Sequence, residues 1–330
     1  MIFKALFLDK KNNEELLASI SDVELIDDKS LDVLVKVDFS TLNYKDCLAI
    51  NGKLGVVRNF PIIPGIDFSG QVIESKSEKF VKGDEVILNG FGVGEKYWGG
   101  LGQYAQAKSN WLIKKPLPIS TKFAMGIGTA GYTAMLCVME LLQQGLKPDQ
   151  DEIIVSGATG GVGTFSIIIL SKMGFNVLAI TGKPDQKDYL SKLGANEILD
   201  RSNFSKPSKL LESQRWAGAI DTAGGNTLAN ICSATKYGGT VVSCGNAESI
   251  KFNSSVAPFI LRNIRLLGVD SVYKDTSSRI KAWNKIAEII DSDIIDQVTE
   301  TIPLSMVTRY AKKIYGGNIT GRVIVDVNNF

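Results

Sequence analysis

The sequence has 330 residues, of which 44% are apolar and 22% are charged, and its formal net charge is +2. This length favours two hydrophobic cores rather than one, and the composition is that of a folded protein rather than a disordered one. Acidic and basic residues are interspersed, which argues against nucleic acid or an anionic membrane as a partner.

The absence of export signals and of histidine narrows the class of protein further. No apolar stretch comes near the roughly 20 residues that cross a bilayer, and residues 1–9 alternate like a strand rather than a signal peptide. We therefore expect a cytoplasmic protein whose four cysteines are reduced. The sequence has no histidine, so imidazole ligands, nucleophile–His pairs and His proton shuttles are excluded, and we expect no metal site.

The first part of the chain, up to about residue 118, has short β-like runs broken by Gly and Pro. This spacing predicts an antiparallel, barrel-like domain. The pattern then changes to a helix over residues 122–142, followed by alternating strands and helices. The predicted strands are 152–156, 176–180, 217–221 and 239–243, and the helices are 162–173 and 187–193. This β-α-β order predicts a parallel, doubly wound sheet.

The last part of the chain is predicted to form a helix over residues 278–290 and a strand over 322–327 that rejoins the first domain. We therefore predict a catalytic β-barrel domain made of residues 1–120 and 266–330. A Rossmann domain of residues 121–265 is inserted between these two parts, and a cofactor is expected in the cleft between the domains.

A glycine-rich loop follows the first predicted parallel strand and leads directly into a helix. The loop carries the spacing of a dinucleotide site, in which a small first residue allows a tight turn, the second glycine admits the pyrophosphate and the third permits close helix–strand packing. Glycines alone would be weak evidence, but the strand before and the helix after them favour this interpretation. The loop residues are Ala158, Thr159, Gly160, Gly161, Val162 and Gly163.

The end of the second predicted strand indicates which cofactor binds. An NAD site usually has an acidic residue here, but this chain has Thr181, Gly182 and Lys183. A hydroxyl and an ammonium suit a 2′-phosphate, and Arg201 after the next strand supplies a second cation. These residues favour NADPH; the alternative is that Lys183 and Arg201 are ordinary solvated charges.

Nearly the whole chain resembles the acrylyl-CoA reductase branch of the quinone-oxidoreductase-like medium-chain dehydrogenases/reductases. The resemblance rests on the strings LNYKD (42–46), RNFPIIPGIDFSG (58–70), GVGE (92–95), WGG (98–100), GTAGYTAMLCVM (128–139), WAGAIDT (216–222), PFILRN (258–263) and LGVDSV (267–272), together with the glycine loop.

The resemblance implies a GroES-like barrel with a Rossmann domain, no zinc, a homodimer, and NADPH-dependent saturation of the double bond of acrylyl-CoA. One departure is that relatives commonly have a His before Trp98, where this chain has Lys96 and Tyr97, so a role for that His does not carry over. The resemblance also implies cofactor contacts from Tyr44, Gly245, Asn246, Val269, Ser271 and Asn318; each of these residues has a purely structural alternative role.

Reduction of a conjugated thioester requires hydride delivery, stabilisation of the enolate and a proton source. Tyr44 is the first candidate to orient the nicotinamide and shuttle the proton, although water could replace its phenol. Asn43 is a candidate donor, and Asp46 or Asp67 a candidate support. Because CoA carries phosphates, cations at the loop after residue 46 are candidate substrate contacts; these are Lys53 and Arg58.

Three alternatives stay open from the sequence. The first is an NADPH quinone or alkenal reductase, since one fold serves many acceptors. The second is an inactive NADPH-binding sensor, and the third is a zinc alcohol dehydrogenase.

Overall fold

The computed structural model describes residues 1–10, 15–26, 28–53, 55–149 and 151–330. The chain divides into two compact units. The first unit is Met1–Thr129 with Ser271–Phe330, and the second is Ala130–Asp270.

The first unit is built on a mainly antiparallel sheet in which β14, β15, β3, β4, β5 and β7 are neighbours in that order and β6 also pairs with β3. Only β14 and β15 are parallel in this sheet, among the described residues. A separate ribbon is formed by β1 and β2. The strands are β1 (Ile2–Asp9), β2 (Leu17–Glu24), β3 (Val33–Thr41), β4 (Asp67–Ser75), β5 (Glu85–Asn89), β6 (Tyr104–Ala107), β7 (Ile113–Lys114), β14 (Thr299–Pro303) and β15 (Arg322–Asp326).

Helices of the first unit flank this sheet, and the last strand, β15, pairs antiparallel with β3. Alternate residues of β3 and β4 point into one core that also receives the apolar side of α9. The helices are α1 (Tyr44–Ile50), α7 (Thr276–Ile289), α8 (Ser292–Val298) and α9 (Val307–Tyr315).

The second unit has a six-stranded parallel sheet in the order β10-β9-β8-β11-β12-β13. Numbered from β8, this is the order 3-2-1-4-5-6 of a dinucleotide-binding fold, and the order reverses between β8 and β11. The predicted Rossmann sheet is thereby confirmed. Its elements are β8 (Glu152–Val155), α3 (Gly161–Lys172), β9 (Asn176–Thr181), α4 (Lys187–Lys192), β10 (Glu197–Asp200), β11 (Trp216–Asp221), α5 (Gly225–Ala234), β12 (Thr235–Ser243), α6 (Ala257–Arg262) and β13 (Arg265–Gly268).

Burial explains why the inner strands of this sheet read as continuous apolar runs. Ile153, Ile154 and Val155 of β8 are all fully buried, as expected when helices cover both faces of a parallel sheet. Helix α3 is likewise buried along Gly163 to Leu170, which accounts for its lack of a polar face.

Helix α2 (Thr121–Gln143) is interrupted at Gly128, whose φ of 52° and ψ of −161° are not helical. The sequence predicted one continuous helix here. By length and composition α2 could cross a membrane, but 78% of its most apolar window is buried within the protein. It is therefore a core helix.

Candidate functional site

The glycine loop of the second unit leaves its backbone uncovered by side chains at the amino end of α3. Gly157 has a φ of 59°, which only glycine adopts easily. A Cβ on Gly163 would meet the Gly157 carbonyl oxygen and lie 2.7 Å from the Cα of Ala158, so the third glycine is required for packing. Gly160 caps α3 without a side-chain hydrogen bond. The first N–H groups of α3 therefore remain available to an anion.

The predicted phosphate-binding residues come together at the carboxyl ends of β9 and β10. A Cβ on Gly182 would lie 2.8 Å from Cζ of Arg201, so the guanidinium lies directly beside this glycine. The backbone N–H of Lys183 donates to Oγ1 of Thr181 (3.0 Å), and desolvation lowers the pKa of Lys183. The Asp200 carboxylate accepts from the Ser202 N–H (2.7 Å) and caps the short helix that begins at Arg201. Two cations thus flank a bare glycine backbone.

A buried carboxylate at the point where the strand order reverses was not singled out from the sequence. Asp221 accepts hydrogen bonds from Ser156 Oγ (2.7 Å) and from the N–H groups of Ala223 (3.2 Å) and Gly224 (2.9 Å). Desolvation raises its pKa, and these hydrogen bonds oppose that rise. Asp221 therefore ties the turn after β8 to the turn after β11. The string WAGAIDT (216–222) contains Asp221, but no local pattern in the sequence indicated that its carboxylate connects the two turns.

The remaining predicted cofactor contacts lie on turns of their respective units. In the second unit, a Cβ on Gly245 would lie 2.5 Å from the Thr222 carbonyl oxygen, Asn246 is exposed, and the Val269 N–H donates to the Ser243 carbonyl (3.0 Å). In the first unit, the Ser271 carbonyl accepts from Arg279 Nη2 (3.0 Å) and Asn318 is exposed after α9.

Tyr44 is the first residue of α1, in the first unit. Its side chain is 49% exposed, and its ring stacks on that of Tyr315 with centroids 6.3 Å apart. The preceding Asn43 caps the helix, and its N–H donates to Oδ2 of Asp46 (2.8 Å). The start of α1 is therefore fixed while the Tyr44 phenol stays accessible.

Asp67 lies beneath this helix start and is completely buried. Its carboxylate accepts from Asn43 Nδ2 (2.8 Å), Asn89 Nδ2 (3.0 Å), the Thr129 N–H (2.7 Å) and the Thr129 hydroxyl. The break of α2 at Gly128 frees that N–H, and the carboxylate satisfies it. Buried and accepting hydrogen bonds at both oxygens, Asp67 fixes the positions of Asn43, Asn89 and Thr129.

Arg322, from the start of β15, completes this buried network and was missed from the sequence. Its Nη1 donates to Asn43 Oδ1 (3.1 Å), and its Nη2 donates to Thr41 Oγ1 (2.7 Å). A Cβ at Gly128 would lie 2.5 Å from Nη2 of Arg322 and 2.9 Å from Oδ2 of Asp67, so only glycine fits. The one signal in the sequence was that Arg322 begins a predicted strand whose other residues are mostly apolar.

Burial perturbs the charged groups of this network. Desolvation lowers the pKa of Arg322, and the nearby carboxylates oppose that shift. Desolvation also raises the pKa of Asp46 to about 7, and the Asp67 charge adds to this rise.

The two cations predicted to bind substrate, Lys53 and Arg58, lie in different surroundings. The ammonium of Lys53 lies 5.1 Å from the centroid of the Tyr315 ring. Lys53 also lines an open cavity, whereas Arg58 is exposed and is not among the described residues lining that cavity. At the position where relatives have His, Lys96 is exposed and the Tyr97 ring lies 4.9 Å from that of Trp111.

Comparison with known proteins identifies the class. Residues 29–117 match the family described as Alcohol dehydrogenase GroES-like domain, and residues 161–289 match Zinc-binding dehydrogenase. The chain is a member of the medium-chain dehydrogenase/reductase superfamily, as its two units and glycine loop predict. Within the described residues, no group of three or more Cys, Asp or Glu side chains is placed to hold a metal ion.

The comparisons also define the branch. The chain is 44% identical over 328 residues to the Escherichia coli K12 protein named "Probable acrylyl-CoA reductase AcuI", covering 98% of this chain and 100% of that protein. It is 41% identical to Acrylyl-CoA reductase AcuI of Ruegeria pomeroyi, covering 99% and 100%. The chain therefore belongs to the acrylyl-CoA reductase group.

Two solved structures share the fold along nearly the whole chain. The yhdH oxidoreductase of Salmonella enterica in complex with NADP superposes with a TM-score of 0.93 at 43% identity, covering 98% of this chain and 99% of that one. Bacillus subtilis protein yhfP with NAD bound gives a TM-score of 0.94 at 38% identity, covering 99% of both chains.

Proposed function

We propose that this protein catalyses the NADPH-dependent reduction of the conjugated C=C bond of acrylyl-CoA, yielding propionyl-CoA. The observation that carries the proposal is that the second unit has both an uncovered glycine-loop backbone at the start of α3 and two cations, Lys183 and Arg201, beside Gly182. The full-length similarity to proteins named acrylyl-CoA reductase supports the substrate. In this proposal the second unit (Ala130–Asp270) forms the cofactor domain, and the first unit (Met1–Thr129 with Ser271–Phe330) forms the catalytic domain.

The residues fit NADPH better than NADH. Gly160, at the start of α3, leaves the backbone bare there, as the close approach of a pyrophosphate requires. Arg201 and Lys183 supply positive charge where an NAD site would supply a carboxylate. When bound, NADPH supplies the hydride. The N–H groups at the start of α3 would hold the pyrophosphate, and Arg201 with Lys183 the 2′-phosphate.

The catalytic work of the chain itself is positioning and proton transfer. The exposed phenol of Tyr44 is the group we propose to orient the nicotinamide and to deliver a proton to the α-carbon of the substrate, directly or through water. Asn43 is a less suitable donor to the thioester than the sequence predicted. Its two amide hydrogens are already directed at Asp67 Oδ2 (2.8 Å) and Asp46 Oδ2 (3.2 Å). We propose that Asn43, Asp67 and Arg322 hold Tyr44 in place.

The test is to supply purified protein with NADPH and acrylyl-CoA and to follow nicotinamide absorbance and product mass. We expect stoichiometric propionyl-CoA and faster turnover than with any quinone or alkenal at equal concentration. A kcat/KM for quinones that is higher than that for acrylyl-CoA would show that the protein is a quinone reductase instead. Tight NADPH binding without oxidation by any acceptor would make the protein a sensor.

We further propose a zinc-free cytoplasmic homodimer. In the second unit β13 is an edge strand, and α6, which precedes it in the chain, carries Ile260 and Leu261, which are 72% and 61% exposed. An open strand edge flanked by apolar side chains is suited to pairing with a second copy. Sedimentation equilibrium should therefore give twice the chain mass, and a Leu261→Glu variant should shift the protein toward monomer.

A further inference from the structure

An open cavity of about 580 Å³ lies in the first unit, beside the ends of α1 and α9. This volume lies within the range of small-molecule sites. Part of its wall is apolar, formed by Ile50, Val57 and Phe60, and part is charged, formed by three lysines and one glutamate. The lysines are Lys10, Lys53 and Lys312, and the glutamate is Glu15. The cavity therefore combines a surface for a flat apolar group with an excess of positive charge.

Two lysines of this cavity, Lys53 and Lys312, are not neutralised by a carboxylate in the described part of the chain. Both are exposed. By contrast, Lys45 on the same helix, α1, pairs with Glu95 at 3.0 Å. Two unneutralised ammonium groups at one cavity are suited to an anionic ligand, and phosphate is the anion that lysine commonly binds.

Tyr315 contacts both Tyr44 and one of the lysines that line the cavity. The Tyr315 ring stacks on that of Tyr44 with centroids 6.3 Å apart, and the Lys53 ammonium lies 5.1 Å from the Tyr315 centroid. Tyr315 therefore links the proposed reacting group to the first cavity cation. A ligand reaching from Tyr44 along α1 would bring its far end to Lys53 and Lys312.

We propose that this cavity binds the nucleotide end of the coenzyme A thioester, with Lys53 and Lys312 contacting its phosphates and Val57 and Phe60 contacting its adenine. The proposal rests on the proposed function and names where the part of the substrate remote from the double bond is held. Aromatic and apolar walls suit a base, since base–aromatic stacking is favourable for any base. Binding energy from this remote part would hold the thioester at the Tyr44 end.

The experiment compares acrylyl-CoA with acrylyl-pantetheine, which has the same thioester but no nucleotide. The Lys53→Ala/Lys312→Ala double variant should raise the KM for acrylyl-CoA by on the order of tenfold or more, which is the effect of losing about 1.4 kcal/mol. Its KM for NADPH should stay at the wild-type value. With acrylyl-pantetheine, wild type and variant should have the same KM. Lys122→Ala, an exposed lysine that lines a different cavity, is the matched control and should change none of these constants.

Two results would overturn the inference: an unchanged KM for acrylyl-CoA in the double variant, or an equal rise in KM for both substrates. Calorimetric titration with free coenzyme A keeps the two proposals separate. If the wild type bound coenzyme A but reduced no acrylyl-CoA, the proposed function would fail. The cavity would then be tested by whether the double variant lost that binding.

Discussion

Removing the guanidinium at position 201 should convert the protein from an NADPH-selective enzyme into one with little cofactor preference. Arg201 lies against the bare backbone of Gly182, so its charge is held where the 2′-phosphate of NADPH is expected. A hydrogen bond to a charged group contributes about 1.5–3 kcal/mol. Because Arg201 is exposed, we take about 1–2 kcal/mol, which corresponds to a factor of roughly 5–30 in affinity.

The assay is the KM for NADPH and for NADH in wild type and in Arg201→Ala. We expect the KM for NADPH to rise by that factor and the KM for NADH to stay constant. Gly182→Ala should give a smaller loss in the same direction, because its Cβ would lie 2.8–2.9 Å from three guanidinium atoms and push them away. The control is Arg215→Ala, which removes a half-buried arginine paired with Glu197 at the other end of β10. Equal losses with both cofactors, or an equal loss in Arg215→Ala, would refute the reasoning.

Four further predictions concern the rest of the chain. Tyr44→Phe should lower kcat by about 10²-fold or more with an unchanged KM for NADPH; normal turnover would remove the phenol from the mechanism. Arg322→Met should lower the free energy of unfolding by about 3 kcal/mol, because Asp67 and Asp46 lose their nearby cation; a loss below about 1 kcal/mol in urea unfolding would contradict this. Since burial raises the pKa of Asp46 to about 7, its contribution to stability is full below about pH 4 and is lost as the pH rises through about 7. Asp46→Asn should therefore lessen the fall in stability from about pH 5 to about pH 8, and an unchanged fall would contradict the shift. Of the four cysteines, Cys244 alone is not buried, so a thiol reagent should modify one residue rapidly in the native protein and four after unfolding. Rapid loss of a second thiol would contradict the burial of the others.

Local patterns were sufficient for the parallel sheet and its phosphate-binding loop. Strands buried on both faces have continuous apolar runs, and the loop after β8 places its glycines at fixed spacing, so both leave a clear signal in a short stretch of sequence. The approach of Arg201 to Thr181 and Lys183 could also be expected, because the carboxyl ends of neighbouring parallel strands meet at one edge of the sheet.

The network beneath Tyr44 could not be predicted in the same way, since its members come from strands far apart in the chain. Arg322 reaches Asn43 across a sequence separation of 279 residues, and no local pattern records that contact. The break in α2 belongs to the same network, because the Thr129 N–H bonds to Asp67 there. The helical apolar pattern continues through Gly128, but a Cβ there would collide with Arg322 and Asp67. The stacking of Tyr315 on Tyr44 is likewise a tertiary contact that neither segment indicates alone.

We propose that this protein passes hydride from NADPH to the β-carbon of a conjugated CoA thioester. The most direct test of this hydride transfer supplies the protein with acrylyl-CoA and with NADPH that carries deuterium at the transferred position of C4, and locates the deuterium in the product. We predict propionyl-CoA that contains one deuterium, located at the β-carbon, with the α-proton taken from water. Unlabelled propionyl-CoA, deuterium at the α-carbon, or oxidation of the cofactor without any propionyl-CoA would contradict the account.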